Sequence, residues 1–135
     1  MTQRTLVLLK PDTVRRGLVG EVLSRFEAKG LEIVAMEHRT IDAALADRHY
    51  AEHVERDFYP PLRAFVTSGP LVALVLEGDE AIEVVRLVNG ATDGRKAAPG
   101  TIRGDLSLSN RENLVHGSDS AESAEREIAI WFPEL

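Results

Sequence analysis

The chain has no cysteine, which excludes disulfides and thiolate metal sites and is compatible with a cytoplasmic location. Aromatic residues are only 5% of its 135 residues, and no stretch carries the aromatic-rich strand motif of an RNA-recognition sheet. Positive charge is also scarce: 16 Lys and Arg stand against 22 Asp and Glu, a net charge of −6. That balance argues against general nucleic-acid binding, which uses a basic surface to neutralise phosphates. An anionic small ligand would need a local cationic island. No apolar run approaches the about 18 residues of a membrane span, and MTQRTLVLLKPD offers only Leu6 to Leu9 before Lys10 and Pro11, so it reads as a strand and not as a signal peptide. The familiar glycine loops are missing as well. GATDGRK has the wrong spacing before its lysine for a Walker A loop, and no G-x-G-x-x-G occurs.

What is present fits one soluble globular domain over residues 1–135, with 44% hydrophobic and 28% charged residues and no repeat or linker. TLVLL (5–9) reads as a buried strand. In LVGEVLSRFEAKG, Val19, Val22, Leu23 and Phe26 share a helical face, and Gly30 is placed to end the helix in left-handed space. LEIVAME is a second strand, and Asp42 is a plausible N-cap for a helix through ALADRHYAEH. LVALVLEG (71–78) is a third strand between Gly-Pro and Gly-Asp. Asp79 is expected to cap EAIEVVRLV, with Ala81, Ile82, Val85 and Val88 on one face and Gly90 at its end. Residues 90–112 lose all periodicity and read as a long functional loop. NLVH is a short last strand, and Asp119 or Ser120 opens a helix with Ala121, Ala124, Ile128 and Trp131 on one face. The order β-α-β-β-α-β, with a helical hairpin between strands 2 and 3, points to a ferredoxin-like α+β fold with a four-stranded antiparallel sheet.

His116 is the residue on which function turns. It ends a strand before Gly117, Ser118 and Asp119 at a helix start, where free N–H groups favour an anion. A lone histidine there is more often a packed residue satisfied by backbone. Lys10, Arg86 and Arg103 shift that balance if the fold brings them together, because three cations could hold a polyphosphate despite the acidic whole.

TLVLLKPD, GEVLSRFEAKG, HYAEH, TSGP, APGTIRGD and NLVHGSDSAESAEREIAIWF together resemble, in order and spacing, the sequence blocks of nucleoside diphosphate kinases across nearly the whole chain. The resemblance implies transfer of a γ-phosphoryl group from a nucleoside triphosphate to a nucleoside diphosphate through a phosphohistidine at His116, with ping-pong kinetics. It implies phosphate contacts from Lys10, Arg86, Arg103, Tyr50, Thr92 and Gly117, and a ribose contact from Asn113. Phe58 would stack on the base with Leu62 beside it, and Ser118 and Glu127 would orient His116. Mg²⁺ is expected on the nucleotide phosphates and not in a protein cage, and a homo-oligomer, tetramer or hexamer, is expected. The competing reading is a non-catalytic nucleotide-binding or protein-interaction module of the same fold.

The chain departs from the family's pattern at Asn110, Pro60 and Pro61, Gly94, Leu106 and Glu112. Glu127 falls on or beside the buried face of the last helix, opposite Glu125. His49 and His53 stand four apart, a metal-compatible spacing, but no third ligand is apparent and a solvated helix face is the expectation. Arg103 to Asp105 spells RGD, which has no adhesive setting here.

Overall fold

A computed structural model describes residues 1–135. Four strands, β1 (Thr2–Leu9), β2 (Glu32–Arg39), β3 (Leu71–Asp79) and β4 (Val115–Gly117), form one antiparallel sheet in the order β2-β3-β1-β4. Eight further segments surround it: α1 (Pro11–Arg15), α2 (Val19–Lys29), α3 (Ala43–His49), a 3₁₀ turn (Ala51–His53), α4 (Tyr59–Val66), α5 (Ala81–Asn89), α6 (Ile102–Leu106) and α7 (Ala121–Trp131). None of the helices is long and apolar enough to cross a membrane.

The unbroken apolar runs of β1 and β3 follow from their central place, because both faces of the sheet are covered. Val7 and Leu9 of β1 join Val72, Leu74 and Leu76 of β3 under Val22 and Phe26 of α2 and Val85 of α5. Leu6 and Leu8 face the other way with Leu71, Ala73 and Val75, against Ala46, Phe65 and Trp131. Adjacent residues point to opposite faces, so a strand buried on both sides must be apolar at every position. β2 lies at the edge and shows a mixed, half-exposed pattern.

The helix ends mostly follow their local chemistry. Gly30 closes α2 at φ 104°, and the Asp42 carboxylate caps α3 by accepting the Leu45 N–H at 2.9 Å. α3 is shorter than expected: it stops at His49 and a separate 3₁₀ turn follows. Asp79 does not cap α5. Glu80, in left-handed space at φ 54°, occupies the N-cap position without a side-chain bond, while Asp79 pairs with the chain's N-terminal amine. The segment 90–112 is not structureless either. It holds α6, whose start is capped by Thr101 accepting the Gly104 N–H and whose Ile102 is fully buried. Helices α1 and α6 are only 5 residues long each, too short to print a periodic face on the sequence.

Candidate active site

The antiparallel pairing of β1 with β4 sets Leu8 opposite His116 and Leu9 opposite Val115. Lys10 therefore leaves the end of β1 beside the residues that enter β4. Its Nζ donates to Asn113 Oδ1 at 2.8 Å, and the Asn113 amide nitrogen donates to the carbonyls of Thr92 and Asn110. α5 packs on β1 and β4 and delivers Arg86, Gly90 and Thr92 to the same edge.

His116 is tied to a carboxylate and not to backbone: its Nε2 lies 2.9 Å from Glu127 Oε1. Glu127, three residues after Ala124 on the buried face of α7, is 5% exposed. The same carboxylate oxygen accepts Ser118 Oγ–H at 2.7 Å, and Ser118 is pinned in turn by the Leu6 N–H at 3.2 Å. An Nε2–H that donates to Glu127 leaves the lone pair on Nδ1.

The expectation of a solvated His49 is overturned. His49 is 3% exposed, and its ring stands edge-on 4.7 Å from the ring of His116. Its Nδ1 accepts the Trp131 indole N–H at 3.0 Å. Burial and the neighbouring His116 push its pKa well below the ordinary value, so it is neutral. Ligand atoms of His49, His116 and Glu127 lie within 4.8 Å of one another. Indole is a donor only, so the His49 proton sits on Nε2, and a metal there would have to displace that proton or the indole.

A cleft of about 830 Å³ gathers Lys10, Tyr50, Arg86, Thr92, Arg103, Asn113, His116, Gly117 and Glu127. Phe58 and Leu62 line a second cavity that shares Lys10, Tyr50, Thr92, Asn113 and His116 with the first. Ser118 is fully buried behind Glu127. All the residues singled out in the sequence thus converge, and the cleft also holds His49, Lys96 and Arg126, which no motif announced. The i, i+4 spacing from His49 to His53 was the one visible signal, and it suggested the wrong chemistry. Gly117 has a steric reason to be glycine: a Cβ would lie 2.9 Å from Val85 Cγ1.

The cationic island is real in an acidic protein. Lys10, Arg86, Lys96, Arg103 and Arg126 line the cleft against Glu52, Asp119 and Glu127. Crowding and burial weaken two of these cations. Lys10 falls to about 8 through burial and the nearby Arg103, and Arg103 falls to about 10 through burial and Arg86. Arg103 is also committed structurally: Nε, Nη1 and Nη2 donate to the carbonyls of Asn113, Gly90 and Val115 at 3.1, 2.9 and 2.5 Å. At the helix start after His116, Ser120 Oγ already accepts the Ser123 N–H, and the Asp119 carboxylate beside it is held below its usual range by Ser123 and Ser120.

A family model described as "Nucleoside diphosphate kinase" matches residues 3–135. The chain belongs to the nucleoside diphosphate kinase family. A curated nucleoside diphosphate kinase from Nocardioides sp. is 82% identical over the full length of both chains. One from Cutibacterium acnes is 62% identical, covering 98% of this chain and 96% of that protein. Among solved structures, a halophilic nucleoside diphosphate kinase from Halobacterium salinarum in complex with CDP superposes with a TM-score of 0.96 at 48% identity, covering 99% of this chain and 90% of that one. A family protein from Babesia bovis gives 0.94 at 44% identity, covering 98% and 90%.

As a nucleoside diphosphate kinase family member, the chain absorbs its departures from the pattern locally. Pro60 and Pro61 occupy the first turn of α4, where a missing N–H costs nothing. Gly94 is buried, and a Cβ there would lie 2.4 Å from the Ser107 carbonyl. Leu106 packs against the core, and Glu112 makes an exposed 3.6 Å ion pair with Arg15. Asn110 lines the outer cavity with Phe58.

Proposed function

We propose that the chain moves the terminal phosphoryl group of a nucleoside triphosphate onto a nucleoside diphosphate through His116, in two in-line steps. The observation that carries the reading is the bond from His116 Nε2 to Glu127 at the floor of a cationic cleft. With Nε2–H donating to Glu127, Nδ1 is the nucleophile. The Nδ1–P bond forms as the bridging P–O bond of the triphosphate breaks, and the diphosphate leaves with that electron pair. The second nucleotide reverses the exchange, so no proton need enter or leave the ring. Its positive charge in the phosphorylated state is balanced by Glu127.

Lys10, Arg86 and Arg103 neutralise the phosphates, with Tyr50, Thr92 and the Gly117 backbone completing the wall. Asn113 holds the sugar. Phe58, 50% exposed at the rim, stacks on the base with Leu62 beside it, a contact that any base can make. Mg²⁺ carried by the nucleotide would add charge neutralisation at the phosphates beyond what Lys10, Arg86 and Arg103 supply. We place the reaction in the cytoplasm and infer a homo-oligomer, tetramer or hexamer. The edge strand β2 supports an assembly, since it carries the 55% exposed Met36.

The test is labelling. Protein mixed with γ-labelled ATP and Mg²⁺ should yield an acid-labile phosphoenzyme that GDP discharges to GTP, and His116→Asn should take no label. Absence of label on the wild type, or equal label on the variant, would falsify the reading and leave a nucleotide-binding module.

A further inference from the structure

Immediately before His116 the backbone makes a strained turn. Val115 N–H donates to the Asn113 carbonyl at 2.8 Å, and Leu114 between them has φ 74°. A hydrogen bond from residue i+2 back to i around a positive φ marks the rare, strained form of γ-turn, and leucine has none of glycine's freedom there. Leu114 is fully buried, so water does not hold it in place.

Both of its backbone polar groups are held from the other end of the chain. Leu114 N–H donates to Asp12 Oδ2 at 3.1 Å. The Leu114 carbonyl accepts the Lys10 N–H at 2.8 Å and Thr13 Oγ1–H at 2.6 Å. Asp12 is 2% exposed, and burial raises its pKa, so keeping a carboxylate here is costly unless it serves a purpose. It lines neither cavity of the site. The turn it grips sets both neighbours of the reaction: Asn113, which accepts Lys10 Nζ, and Val115, which leads to His116. Were Leu114 to relax to negative φ, the peptides on either side would rotate and carry Asn113 and the start of β4 with them.

We propose that Asp12, supported by Thr13, is a positioning residue that clamps Leu114 in this turn and so sets Asn113 and His116 against the transferred phosphoryl group. The competing role, a counter-charge for Lys10, makes a different prediction. Asp12→Asn keeps an oxygen that can accept the Leu114 N–H and loses the charge, whereas Asp12→Ala loses both.

The proposal rests on His116 as phosphoryl acceptor, and the wild type separates the two ideas. An unlabelled wild type sinks the functional reading, while the clamp is judged by variants against a wild type that labels. Single-turnover labelling from γ-labelled ATP is expected to slow on the order of 10²-fold in Asp12→Ala, the usual cost of a small misplacement, and far less in Asp12→Asn. kcat should move more than KM. The Leu114 amide should exchange hydrogen faster in Asp12→Ala at temperatures where circular dichroism is native. Thr13→Val should label more slowly than Thr13→Ser, and that pair carries the test if Asp12→Ala does not fold. Wild-type labelling in Asp12→Ala, equal losses in Asp12→Ala and Asp12→Asn, or equal rates in the two Thr13 variants would overturn the clamp.

Discussion

The floor and the rim of the cleft are built by different rules. On the floor, Lys10, Arg103, Asn113, Ser118 and Glu127 are each at most 9% exposed, and each is hydrogen-bonded to other parts of the site or its backbone. At the rim, Phe58 is half exposed, and Arg86, Thr92 and Asn110 are exposed. The floor is over-determined before any ligand arrives, as electrostatic preorganisation of phosphoryl transfer requires. The rim is loose, and on the proposed reading a loosely held aromatic there would meet a base by its face and not by its edges. The contrast supports the proposal that this site fixes where phosphorus goes and leaves open which nucleoside carries it. Damage to the floor should therefore be severe and rim changes mild.

The largest effect is expected at Arg103. Arg103→Ala would strand the carbonyls of Gly90, Asn113 and Val115, each at about 1–3 kcal/mol where water cannot replace the donor. A loss of stability of about 3 kcal/mol or more should accompany a fall in kcat/KM on the order of 10³-fold. Arg103→Lys should rescue little, because a point charge cannot span three carbonyls. Chemical denaturation and steady-state kinetics on the same samples check both halves, and a fully stable but inactive Arg103→Ala would assign the residue to phosphate binding alone.

Glu127 comes next. Glu127→Gln keeps the shape that receives His116 and Ser118 but removes the charge proposed to balance the ring. The phosphorylation rate should fall on the order of 10²-fold with nucleotide KM little changed. A rise in KM at unchanged kcat would place Glu127 in binding instead.

Much of the fold was legible in the sequence, and the reasons differ by region. β1 and β3 announced themselves because strands covered on both faces are apolar throughout, and Gly30 and Asp42 marked helix ends by their own chemistry. The residues that meet in the cleft were picked out through the family resemblance, since nothing local in Lys10 or Arg103 says that they meet. Asp12 was passed over and His49 misread as solvated because their partners, Leu114 and Trp131, lie across the fold. No periodicity records a hydrogen bond between the two ends of the chain. The short helices α1 and α6 escaped for a different reason: five residues are too few to show an amphipathic stripe.

Lys10 offers a pH test of the floor. Its folded pKa of about 8 lies below the ordinary 10.5, so the buried ammonium costs stability at all pH below about 8, and that cost is relieved as pH rises toward 10.5. For nucleotide binding the sign is opposite, because the phosphates favour the protonated amine. Affinity should weaken by up to about tenfold per pH unit above the folded pKa, with proton uptake on binding. Calorimetry in buffers of different ionisation enthalpy measures that uptake. Its absence would mean that Lys10 keeps its proton throughout, and the flat profile should then survive in Lys10→Arg.

The smallest effect belongs to the rim. Phe58 touches the His53 ring, with centroids 5.4 Å apart, but is otherwise half in solvent, so truncating it leaves no cavity to collapse. Base stacking is worth about 1–3 kcal/mol when complete, and a half-exposed ring belongs at the low end. Phe58→Ala should therefore raise nucleotide KM about fivefold, corresponding to roughly 1 kcal/mol. It should leave kcat and thermal stability unchanged and weaken purine and pyrimidine nucleotides alike. A variant that lost kcat as well would show that the rim helps to place the phosphate, and the contrast between floor and rim would dissolve. One that lost affinity for a single base would mean that an edge contact, with Asn110 the nearest candidate in the same cavity, reads the base after all.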